Sequence, residues 1–98
     1  MSFPQIVIEN ARLIILQALE EDPDYSHNED ILRGVLEAFG HRLSHDRLRT
    51  ELHWLAEQGL VGLEQVRDLL VVRLTPRGED VALGNTRVPG VARPRPGA

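Results

Sequence analysis

The chain has 98 residues, 42% of them apolar, no cysteine and a formal net charge of −4, which bounds it to one small domain without disulfides or thiolate metal ligands. No run of about 18 apolar residues occurs, so no membrane span is expected; no basic stretch runs into an apolar segment and a cleavage site near Met1, so a cytoplasmic protein is expected. All eleven basic residues are arginine: residues 1–30 set Arg12 against seven acids, while the segment from Asn85 has three arginines and no acid. An acidic body repels phosphate at long range, which counts against nucleic acid as a partner without excluding it.

From Gln5 to Glu21 the spacing predicts a helix. Ile8, Ala11, Ile15, Ala18 and Leu19 make one face, and Leu13, Ile14 and Leu16 spread apolar surface well beyond a single stripe. A surface helix of a monomer needs only one stripe, so this helix is either deeply central or covered by a partner; in a domain this small, a homodimer through Leu13, Ile14 and Leu16 is expected. Asp22 to Ser26 is a turn cluster. Asn28 is a helix N-cap, with Glu29 and Asp30 in the first turn where the helix dipole favours acid. Ile31, Leu32, Val35, Leu36 and Phe39 form the stripe of a second helix that Gly40 ends. The short link His41–Leu43 joins it steeply to a third helix, a helix-turn-helix arrangement.

That third helix starts at Ser44 as N-cap, has Asp46 in its first turn, and carries Leu48, Leu52, Leu55 and Ala56 at helical period. Gly59 stops it. Residues 60–66 and 69–75 then read as two strands around a tight turn at Arg67-Asp68, with Leu70, Val72 and Leu74 on one side. Thr75-Pro76 starts a short last helix that packs Val81 and Ala82 before Gly84. Residues 1–84 are thus the expected domain. Residues 85–98, with three prolines, two glycines and three arginines, are an expected extended or disordered tail.

The expected fold class is mainly α with a two-stranded β wing, a winged helix-turn-helix. Leu48-x-x-x-Leu52-x-x-Leu55-x-x-x-Gly59-Leu60-Val61, followed by a hairpin and Leu74-Thr75-Pro76-x-Gly78, resembles the winged-helix transcriptional regulators of the ArsR and MarR type over residues 28–84. The whole chain, including Val88-Pro89-Gly90-Val91, looks like small winged-helix proteins of Mu-like prophages. The resemblance implies a regulator that binds duplex DNA as a dimer, with the third helix in the major groove. Carried onto this sequence, the base-reading positions are His45, Asp46, Arg49, Thr50 and His53. Arg42, Arg67 and Arg73 are the implied phosphate contacts, and Ser44 and Arg47 complete the DNA-facing set. Arginine addresses guanine O6 and N7 with two hydrogen bonds, and threonine bonds base or phosphate.

Asp46, Glu51, Glu64 and Asp68 put acid on or beside that surface. A second reading follows, in which Arg47, Arg49 and Glu51 are a solvated helix face with weak ion pairs. The domain is then a protein–protein interaction module that does not touch DNA. Trp54 is expected to pack, partly buried, beside the leucine stripe. His41 and His45 are separated by the N-cap at Ser44, and no acid is spaced to complete a metal site, so no metal is expected. No phosphate loop, dinucleotide turn or nucleophile elbow occurs, so neither a cofactor nor an enzyme is expected. Arg93-Pro94-Arg95-Pro96 can add phosphate contacts if tethered beside DNA.

Overall fold

Each helix begins where a side chain takes a free backbone donor of the first turn. Ser2 accepts from the Gln5 N–H at 3.2 Å, Asn28 from Ile31 at 2.9 Å, Ser44 from Arg47 at 3.1 Å and Thr75 from Gly78 at 3.0 Å. These caps set the order α1 (Phe3–Glu21), β1 (Ser26–Asn28), α2 (Glu29–Ala38), α3 (His45–Glu57), β2 (Val61–Val66), β3 (Leu69–Leu74) and α4 (Pro76–Leu83) in a computed structural model that describes residues 2–96. Gly59, at φ +75°, lets the Leu60 N–H reach back to the Leu55 carbonyl at 3.0 Å, so the chain leaves α3 straight into β2.

The sheet is antiparallel and three-stranded, in the order β1-β3-β2, not the expected two-stranded hairpin alone. Ser26, His27 and Asn28 pair with Arg73, Val72 and Val71. Ser-His-Asn has little strand propensity. What makes it a strand is the open edge of β3, which offers unpaired backbone groups. The Asp22–Tyr25 turn delivers the segment there, with Tyr25 at φ 56° and its carbonyl accepting from the Leu74 N–H at 2.8 Å.

Helix α1 runs through the core and packs on α2, α4 and β3. Leu13, Ile14 and Leu16, the expected dimer face, are only 5%, 8% and 0% exposed within the single chain. Their partners are intramolecular: the wide apolar girth of α1 belongs to a central helix wrapped on several sides, and these residues are not an open dimer surface. In α2, Leu32 and Leu36 are buried, whereas Ile31 and Phe39, assigned to the same stripe, are exposed. The ends of α2 overhang the core.

Residues 85–96 contain no helix or strand, yet they are part of the packed body. Val88 and Val91 are buried in the same core as α1, and the Ala92 N–H donates to the Glu9 carbonyl at 3.1 Å. Proline and glycine prevent regular structure but not packing, and two valines three residues apart suffice to anchor the segment. Gly90, at φ +99°, lies so close to Trp54 that a Cβ would stand 2.7 Å from the indole ring. Residues 97 and 98 of the expected tail lie outside the described residues.

Candidate nucleic-acid interface

Leu48, Leu52 and Leu55 turn one side of α3 into the core, which leaves Asp46, Thr50 and His53 facing water and His45 half-exposed beside Glu29. Arg49 shares this outer face but is engaged. Its Nε and Nη2 donate to the Glu29 carboxylate at 2.8 and 2.7 Å, and Nη2 also donates to the Asp68 carbonyl at 2.9 Å. Glu29 further accepts from the Leu70 N–H at 2.6 Å and faces His45 Nε2 at 2.8 Å. One carboxylate, 0% exposed, therefore joins the start of α2, the outer face of α3 and the start of β3. The Arg49 hydrogen bonds hold its pKa at about 2; burial opposes them, and the Leu70 N–H and the charges of Arg49 and His45 add to them. The same pairing raises the Arg49 pKa. Arg49 is thus positioned as a strut, although its residue type suits base reading.

A second buried carboxylate fixes the inner flank of α3. Glu51, 2% exposed, accepts from Arg12 Nε at 2.7 Å and from Arg47 Nε at 3.0 Å. The Arg12 guanidinium lies 3.8 Å from the centroid of the Trp54 ring, and its Nη1 donates to the Gly90 carbonyl at 2.8 Å. Trp54 is half-buried against the core. Glu51 is therefore a buried tie between α3, α1 and the segment after α4, not a member of a solvated face.

The remaining DNA-facing candidates fall in three places. Ser44 caps α3, and the Thr50 hydroxyl donates to the Asp46 carbonyl one turn back at 3.1 Å. Arg42 is solvent-exposed in the link before α3, 3.6 Å from Glu37. Arg67 occupies the hairpin turn at φ 58°, and Arg73 lies in β3 in register with Gly62 and Ser26. The Arg49–Asp68 contact sets the hairpin turn beside the outer face of α3.

The tying roles of Glu29, Glu51 and Arg12 are not among the expectations drawn from sequence. For Glu51 a signal existed: with Leu48, Leu52 and Leu55 it completes the i, i+3, i+4, i+7 pattern of a buried stripe. For Glu29 nothing local separates it from its exposed neighbour Asp30.

No described helix is long and apolar enough to cross a membrane. No protein-family profile matches the chain. Among solved structures, the complex of hsRosR-S1 is similar with a TM-score of 0.63 at 25% identity, covering 76% of this chain and 65% of that one. The structure of H. salinarum RosR is similar with a TM-score of 0.65 at 25% identity, covering 76% and 67%. The chain thus spans about two thirds of the length of those proteins and shares their fold. A Haemophilus influenzae protein is 40% identical over 78 residues, 79% of this chain and 76% of that one. Protein gp26 of Escherichia phage Mu is 50% identical over 93 residues, covering 95% of this chain and 96% of its own length. By that match the chain belongs to the family of phage Mu gp26.

Proposed function

We propose that the chain is a winged-helix DNA-binding protein, a prophage transcriptional regulator of the cytoplasm that engages duplex DNA as a homodimer and carries no catalytic activity. The observation that carries this reading is the fixed adjacency of the outer face of α3 to the hairpin turn, made by Arg49 and Asp68. A short link, a capped helix and a flanking β-ribbon are the parts that seat a helix in the major groove with a wing on the neighbouring backbone. The fold shared with RosR supports it. In this reading Arg42, Arg67 and Arg73 contact phosphate, and His45, Thr50 and His53 face base edges. Arg49 and Arg47 keep α3 in place.

The commitment of Arg49 to Glu29 and of Arg47 to Glu51 favours the second reading, a protein–protein interaction module, because both arginines are already paired with carboxylates of the same chain. Retention on random duplex at about 50 mM salt separates the two, since nonspecific affinity depends on phosphate neutralisation. Binding whose logarithm falls linearly with the logarithm of salt supports the DNA reading. Absence of retention at that salt rejects it.

A further inference from the structure

A groove of ≈ 1060 Å³ lies where α1, α2 and α4 end, against the segment after α4. Two large apolar side chains on it stand in water: Phe39 is 67% exposed and Leu83 is 52% exposed. The last turn of α1 contributes Glu20 and Glu21 to the lining, and the segment after α4 contributes Arg93 and Arg95. Among the described residues, none of these four charges is in an ion pair. The same groove therefore carries acid on one element, base on another and exposed apolar surface, with the opposite charges unspent inside the chain.

A two-fold axis is the operation that spends them. It brings the acidic element of one copy against the basic element of the other, twice over, and a patch of this composition is complementary to itself. Phe39 stands exposed on the lining of this groove, which at ≈ 1060 Å³ is large enough to receive the same side chain from a second copy. Exposed aromatic and aliphatic side chains together with charged groups are also what specific interfaces are built from. We propose that this groove is a homodimer interface, closed by Phe39 and Leu83 of both copies and by Glu20 and Glu21 facing the partner's Arg93 and Arg95. The proposal rests only on the dimeric part of the reading above and needs no DNA.

Sedimentation velocity of the whole chain, without DNA, from about 5 to about 200 µM tests it. The expected result is a dimer at the upper end. Phe39→Glu with Leu83→Glu abolishes it while leaving circular dichroism unchanged, because both side chains are already exposed. Glu20→Arg with Glu21→Arg, and Arg93→Glu with Arg95→Glu, each weaken self-association at least tenfold. An equimolar mixture of those two charge-reversed variants restores dimers, since both contacts are then attractive. A wild-type chain that stays monomeric throughout, a dimer that survives the Phe39→Glu/Leu83→Glu change, or a mixture that fails to reassociate overturns the proposal.

Discussion

Arg49 and Glu29 meet through two roughly parallel N–H···O bonds of 2.8 and 2.7 Å, with the carboxylate wholly buried. Removing the arginine leaves a buried charge short of its main partner, which costs far more than losing a surface ion pair. Arg49→Ala is expected to destabilise the fold by about 3 kcal/mol, a drop of roughly 10–20 °C in Tm. Arg49→Lys recovers only part of this, because an ammonium lacks the two-pronged geometry. Thermal and urea unfolding followed by circular dichroism measure the effect. A loss under about 0.5 kcal/mol would show that the pair is an ordinary surface contact.

The same pair sets an acid limit. The pKa of Glu29 lies below its ordinary 4.5, at about 2 in the folded chain. A depressed folded pKa contributes stability that is complete above about 4.5 and is lost as pH falls towards 2. Urea midpoints of the wild type are expected to fall between pH 5 and pH 2.5, and those of Glu29→Gln to start lower and change less. Parallel pH curves for the two proteins would remove Glu29 from the acid response.

The segment after α4 is expected to contribute to stability as a core element does. Val88→Ala and Val91→Ala each cost about 2 kcal/mol, from two lost methyl groups and the space they leave. Gly90→Ala costs at least about 1 kcal/mol, since it puts a side chain at positive φ and against the indole. Its signature is a changed Trp54 fluorescence. Unaltered unfolding curves for all three variants would mean that residues 85–96 only rest on the body.

On the DNA reading, Arg42→Ala, Arg67→Ala and Arg73→Ala each lower the slope of log affinity against log salt by about one and weaken all sequences alike. His53→Ala instead weakens preferred sequences over random duplex by about 1–3 kcal/mol. Fluorescence anisotropy at several salt concentrations distinguishes the two patterns. A triple arginine variant with the wild-type slope would place the phosphates elsewhere.

What was legible in the sequence was local. Asn28, Ser44 and Thr75 announced three helix starts because a cap acts on N–H groups two or three residues away, and Gly59 announced a stop for the same reason. The hairpin was legible from the alternation of Leu70, Val72 and Leu74. What stayed hidden required contact between distant parts of the chain. Ser26–Asn28 is a strand only because β3 passes it 45 residues later. Glu29 is a keystone only because Arg49 and Leu70 converge on it. The apolar breadth of α1 needs cover, and sequence alone does not distinguish a second chain from distant parts of the same one; α4, Val88 and Val91 supply it.

The junction at Glu29 has a consequence for how this family can vary. Three separate stretches of chain converge on a single acid, so a change at one position alone is costly. A descendant that exchanges Glu29 for an aliphatic residue strands Arg49, and one that exchanges Arg49 first strands the acid. Positions 29 and 49 are therefore expected to be inherited as a pair, kept together or replaced together, across the lineage.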